Sequence, residues 1–264
     1  MSAQSSGCSL SEGAVQYRRT ISARTAPWLL CALVVTGAFR ISQAQGRMST
    51  IVNSAEVQLE DGRATLDEDT LLTARRIFED CTRRDAKNAG CYYEMARTDA
   101  YIADVKERQR DKAAALQRID SAIENTRRSI NLNAGFADAH ALLAELYGRK
   151  IGYGGVFTAM RIGPKAQTET QRALELDPND PRIYIVIGRR QLYSPRIFGG
   201  DIEKAIESFR KASSVDPHCD ESFIWLAIAY GKKGDSSAAK AAVDEALRLN
   251  IRNVIAQEIR SAMR

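Results

Sequence analysis

The chain has 264 residues, of which 44% are apolar and 27% charged, which excludes low-complexity disorder and a polytopic membrane protein. Six prolines and 17 glycines are few for this length and favour helices over an all-β domain. The formal charge of +5 is uneven: residues 1–44 hold Arg18, Arg19, Arg24 and Arg40 against Glu12, while the remainder has 34 basic and 32 acidic residues, so the basic balance gives little support to nucleic-acid binding.

Residues 1–26 are polar and end in a basic cluster, and Pro27–Phe39 is a 13-residue apolar run. Ser42 and Ala44 then supply small residues. A basic region, a short apolar core and small residues predict a secretory signal over 1–44, cleaved after Ala44. The run is too short to span a bilayer, which takes about 20 residues. The predicted compartment is therefore outside the cytoplasm, periplasmic where the envelope has two membranes. Cys81, Cys91 and Cys219 remain after cleavage, an odd number in an oxidising place.

Residues 45–65 read as a polar lead-in or a degenerate helix. From residue 66 the chain repeats itself at a scale of tens of residues. Counting Asp220 as position 1, Phe223, Leu226, Ala227 and Tyr230 fall at 4, 7, 8 and 11; Ala239, Val243 and Ala246 fall at 20, 24 and 27; Ile251 falls at 32. The same register recurs upstream. Position 20 is alanine each time, at Ala74, Ala122, Ala166, Ala205 and Ala239. Position 4 reads Tyr92, His140, Tyr184 and Phe223, and position 8 reads Ala96, Ala144, Gly188 and Ala227. Position 32 falls at Ala86, Ala134, Pro178, Pro217 and Ile251, so three units carry extra residues. Thr126 and Thr170 replace the bulky residue at 24.

This pattern resembles the tetratricopeptide repeat (TPR), a 34-residue helix–turn–helix unit. The resemblance covers 66–251 and implies an all-α, right-handed solenoid of stacked units. Small residues at 8, 20 and 27 fit that fold, because antiparallel helices approach to ~8–10 Å only where contacting side chains are small. One hairpin cannot bury its apolar face alone, so units must stack. Beyond them, Val254, Ile255, Ile259 and Met263 form a helical stripe, which predicts a capping helix over 252–264. Asp180-Pro181, Gly163-Pro164 and Asp201 mark predicted helix starts.

The extra residues must fall between positions 13 and 20. Two stretches, 152–163 and 193–200, carry glycines and aromatics and read as loops on one edge. Tyr153, Phe157, Tyr193 and Phe198 there could cover a pocket or dock a partner; the glycines alone could simply end helices at left-handed positions. No Gly-x-x-x-x-Gly-Lys pattern makes them phosphate cradles.

In the TPR family, ligands lie along the first helices at positions 2, 5, 9, 12 and 13. Carried onto the matching residues, the resemblance implies a groove of Tyr93, Arg97 and Tyr101; then Arg149; then Arg182, Ile185, Arg189 and Tyr193; and finally Ile224, Ile228 and Lys232. An apolar strip among cations suits an acidic-tailed or amphipathic peptide. Alternatively these residues pack against the inserted loops. The expected function is an exported scaffold that binds a peptide segment or protein in the cell envelope. The alternative is a periplasmic solute-binding or transporter-accessory subunit, since the inserted turns are similar to those of such TPR proteins.

Chemistry finds no starting motif. His140 occupies the ring slot at position 4, which predicts a core role. His218-Cys219-Asp220 sits at an inter-unit turn, and sequence neighbours rarely form a catalytic set. His-Glu-x-x-His, Cys-x-x-Cys and Gly-x-Ser-x-Gly are absent from the sequence. No enzyme activity, cofactor or metal is therefore expected. Cys81 at position 27 and Cys91 at position 3 of the next unit lie across a short turn. A disulfide between them would staple two units, adding ~2–3 kcal/mol at best.

Overall fold

The computed structural model describes residues 51–263. The leader assigned to 1–44 lies outside the described residues. The described chain is all-α. Helix α1 covers 51–65, which decides residues 51–65 of the lead-in in favour of helix. It is followed by α2 (Glu68–Arg84), α3 (Ala89–Arg108), α4 (Lys112–Leu132), α5 (Ala137–Leu176), α6 (Pro181–Tyr193), a 3-10 turn (Arg196–Phe198), α7 (Ile202–Val215), α8 (Asp220–Lys233), α9 (Ser236–Leu249) and α10 (Val254–Ala262).

Local chemistry sets the helix starts. Asp67, Asn88, Asp111, Asp180, Asp201, Asp235 and Asn253 each stand at an N-cap and accept a hydrogen bond from a backbone N–H of the first turn. Each thereby satisfies a donor that the helix leaves orphaned. Asp180-Pro181 and Asp201 start helices as the sequence predicts.

The helices pair as α1–α2, α3–α4, the two limbs of α5, α6–α7 and α8–α9, and the pairs stack into a right-handed solenoid with α10 as its cap. Ala74, Ala122, Ala166, Ala205 and Ala239 are all buried. So are the residues at position 27: Cys81, Ser129, Ala173, Ala212 and Ala246. Two glycines show how tight the contact is. A Cβ on Gly188 would sit 2.5 Å from Phe209 Cε1, and one on Gly62 would sit 2.8 Å from Leu71 Cγ. Position 24 is buried too, as Phe78, Thr126, Thr170, Phe209 and Val243. Both threonines bury their hydroxyls by donating one turn back, Thr126 to the Ala122 carbonyl (2.7 Å) and Thr170 to that of Ala166 (2.9 Å).

In the second and third units the extra residues lengthen helices instead of forming loops, whereas in the fourth unit residues 194–201 are the loop that the sequence predicts. In the second unit, α3 and α4 grow to 20 and 21 residues around a short turn. In the third, residues 152–163 are helical within α5, which breaks only at Gly155 (φ 67°, ψ −158°). That backbone conformation is accessible essentially to glycine alone. One residue therefore turns the chain, and Pro164 lies inside the helix rather than opening it. In the fourth unit, the turn is a 3-10 segment ended by Gly199 at φ 89°.

Cys81 and Cys91 are joined in a disulfide, with Cα atoms 6.0 Å apart. It links the end of α2 to the start of α3. His140 is a core residue: its Nδ1 lies 2.6 Å from Glu169 Oε2 and its Nε2 3.1 Å from the Ala134 carbonyl. No helix among the described residues is long and apolar enough to cross a membrane.

Gly188→Ala should lower the unfolding free energy by about 1–3 kcal/mol, the usual cost of overpacking. Gly148→Ala, at a helical site with nothing within 4 Å of the added carbon, should raise it by about 0.5–1 kcal/mol. Urea titrations in which Gly188→Ala is as stable as the parent would contradict the packing described.

Candidate functional site

The first helices of the units line the inside of the solenoid, and the second helices form its outside. Inside is a cavity of about 530 Å³. Ten of the residues carried over from the family register line it: Tyr93, Arg97 and Tyr101 from α3, Arg149 from α5, Arg182, Ile185, Arg189 and Tyr193 from α6, and Ile224 and Ile228 from α8. Lys232 does not. Its ammonium lies 4.9 Å from the centre of the Tyr193 ring, outside the lining.

The cavity is not the open groove that the resemblance implies. The solenoid curls until its first helix, α1, reaches α8 and the turn before α10. Arg63 of α1 donates from Nη2 to Asp220 Oδ1 of α8 at 3.0 Å, across 157 residues of chain. Asn250 and Asn253 each donate from Nδ2 to Asp220 Oδ2 at 3.0 Å. Arg252 pairs with Asp61 at 2.5 Å, and Arg108 of α3 pairs with Glu258 of α10. This seam also accounts for His218-Cys219-Asp220: Asp220 is fully buried in structural bonds while His218 is exposed.

A second expectation is corrected. The cavity's arginines do not await an acidic peptide, because the chain pairs them with its own carboxylates. Arg97 bonds Glu94 (2.8 Å) and Glu60 (2.5 Å), and Arg149 bonds Asp104 (2.8 Å) and Glu107 (3.1 Å). Arg182 bonds Asp138 (2.6 Å) and Asp180 (3.0 Å), and also donates to the Tyr93 hydroxyl (2.7 Å). Arg189 pairs with Glu145 and lies 4.6 Å over the Trp225 ring. The physical reason is desolvation: a guanidinium this buried is too costly to leave unpaired. What faces the cavity is a fixed mosaic of ion pairs around an apolar strip of Ile185, Val186, Ile224 and Ile228.

Of the four turn aromatics, only Tyr193 lines the cavity. Tyr153, Phe157 and Phe198 are absent from the lining. Tyr153 donates from its hydroxyl to Glu107 Oε1 at 2.7 Å, and Phe157 and Phe198 are exposed.

Some lining residues were within reach of the same positional rule. Asp138 and Glu221 stand at position 2 of their units. Counting back from Ala74 at position 20 places Arg63 at position 9, alongside Arg97 and Arg189. Trp225 falls at position 6, which the rule omits. Asn253 and Ile255 line the cavity only because the cap folds back over it, and no periodicity announces that.

Burial shapes the ionisation of the carboxyls. It pushes Glu60 upward, but Arg63 and Arg97 outweigh it and hold the group at about 2. Asp138 is pushed above the usual carboxylate range by burial and by its carboxyl neighbour Asp180, despite Arg182. Asp180 is also buried, yet Arg182 and the hydrogen bond with Asp138 hold it low. Asp180 Oδ2 has no other hydrogen-bond partner, so a proton on Asp138 would satisfy it. Among the described residues, no group of three or more His, Cys, Asp or Glu side chains could hold a metal ion.

A family profile for the tetratricopeptide repeat matches residues 197–219 and 220–250. A search of curated proteins finds no match. Among solved structures, a thermophilic TPR protein of Thermus thermophilus is similar, with TM-score 0.59 and 16% identity, covering 79% of this chain and 98% of that one. The Cut9–Hcn1 hetero-tetramer of APC/C is similar with TM-score 0.52 and 17% identity, covering 84% of this chain and 40% of that one. At these identities the likeness is one of fold.

The paired carboxyls should titrate apart. Proton uptake by Asp138 is tighter in the folded chain, so its contribution to stability falls as pH rises through its folded pKa. Asp180's contribution is present above the ordinary carboxylate pKa and fades as pH drops below it. Carbon-detected NMR of the side-chain carboxyls should show one group titrating above the ordinary range and one below. Two ordinary titrations near 4 would contradict this geometry.

Proposed function

We propose that this chain, a tetratricopeptide-repeat protein by its register and its fold, works as an exported scaffold that holds a peptide segment of a partner inside its curled first-helix face. The fold is a scaffold for protein interaction, and proteins of this kind are generally non-catalytic. One observation carries the finer reading. The apolar strip of α6 and α8, itself largely buried, lines the cavity and is bordered by Tyr93, Tyr101, Tyr193 and Trp225 and by ion pairs. A peptide has the matching chemistry: apolar side chains for the strip and backbone amides for the paired charges. Because basic and acidic groups alternate around the wall, the fitting segment is amphipathic and close to neutral.

Export rests on the leader read from residues 1–44, and the Cys81–Cys91 bond suits an oxidising compartment. A second reading, a solute-binding or transporter-accessory subunit, draws on the seam between α1, α8 and α10, which limits the site to about 530 Å³. That size lies within the range of small-molecule sites.

A photo-crosslinker distinguishes them. Benzoylphenylalanine in place of Ile228, inside, should capture a defined partner from the envelope fraction. The same group in place of Lys240, exposed on α9, should not. Equal capture from both sites would contradict the reading. Capture from neither, with a small molecule co-purifying in the cavity, would favour the solute subunit.

A further inference from the structure

Charge is distributed unevenly over the edges of the solenoid. Residues 149–165 and 189–200 contain seven lysines and arginines and no acid. Outside these two segments, the 34 basic residues of 45–264 fall to 27 against 32 acids. Both segments occupy the turn between first and second helix, in consecutive stacked units, so they lie side by side on one edge. On the opposite edge the turns are mixed: Asp177-Pro178-Asn179-Asp180 is acidic, while Asn250-Ile251-Arg252-Asn253 is basic.

Not all seven cations are available. Arg149 and Arg189 point inward to their carboxylates, and Lys150 pairs with Asp120. Arg161, Lys165, Arg190 and Arg196 are exposed and make no ion pair with any described residue. Between them stand apolar side chains that the fold leaves in water: Phe157 is 88% exposed, Ile197 85%, Met160 66% and Val156 60%. Several large apolar residues gathered on one edge, each more than half exposed, are not ordinary surface scatter.

We propose that this edge docks on the surface of a bilayer containing anionic lipid. Phe157, on α5 two residues past the Gly155 break, and Ile197, in the 3-10 turn, are exposed and do not line the cavity, as insertion among headgroups requires. The free cations beside them fit lipid phosphates. An acidic polypeptide would fit the same cations, and the vesicle and polyglutamate arms of the test separate it from lipid. Interfacial binding of this kind scales with buried apolar area plus attraction to anionic lipid. The site lies outside the cavity and does not rest on what the cavity holds.

The test uses the full chain with vesicles of phosphatidylcholine alone or with about 30% phosphatidylglycerol, enough to give a negative surface. Hydrogen exchange reads residues 152–165 and 194–200 directly, whatever other segment touches lipid. The expected result is protection of both stretches by the anionic vesicles only. Arg161→Gln with Arg196→Gln should weaken that protection roughly five-fold per cation removed, and added salt should weaken it further. Phe157→Ser with Ile197→Ser should weaken it as well, and neither exposed pair should disturb folding. Exchange unchanged by anionic vesicles, or both variants behaving as the parent, would overturn the proposal. Protection by polyglutamate but not by vesicles would also overturn it, in favour of an acidic polypeptide partner.

Discussion

Asp220 begins α8 with its side chain wholly buried, and every polar contact it makes reaches toward an end of the solenoid. Arg63 comes from the first helix pair, and Asn250 and Asn253 come from the approach to the cap. A buried carboxylate is destabilising unless it is paired and hydrogen-bonded. Here that requirement can be met only if the solenoid curls far enough for α1 to reach α8. The curl turns a concave face into a cavity. It also fixes which side chains line it and decides that the arginines there must be neutralised by the chain's own acids. Long side chains cross the seam at Asp61–Arg252 and Arg108–Glu258 as well.

The curl in turn depends on stacking, and stacking depends on small residues. Gly62, Ala96, Ala144, Gly188 and Ala227 let first helices lie close to second helices, while the alanine at position 20 answers from the other side. Where a pair is closest, at Gly188 and Phe209, the ring takes the space that a side chain would occupy, and Trp225 stacks on that ring with centroids 6.0 Å apart. Trp225 in turn carries the Arg189 guanidinium over its own ring in the cavity wall. A packing constraint between helices is thereby transmitted, residue by residue, into the electrostatics of the cavity.

The fold was legible because its determinants are periodic. Ala122, Ala166, Ala205 and Ala239 are spaced by a register that survives inserted residues, and the structure buries all four. Part of the cavity lining was legible for the same reason, since a register position maps onto a face of a helix. What could not be read were features with no period. The inserted residues carry glycine and proline, which locally signal turns, yet only Gly155 adopts a left-handed backbone in the third unit while its neighbours stay helical. Ion pairing in the cavity joins residues dozens of positions apart, such as Arg97 with Glu60 and Arg189 with Glu145. The closing of the ends is the longest-range feature of all, and no local pattern encodes it.

The closure itself can be measured as an interaction energy. A double-mutant cycle on Arg63→Met and Asp220→Asn, followed by urea unfolding, isolates the coupling between two residues 157 positions apart. If the first and last units are joined as described, the coupling should lie at about 1–3 kcal/mol. Effects that simply add, to within about 0.5 kcal/mol, would mean that the ends do not meet and that the concave face stands open.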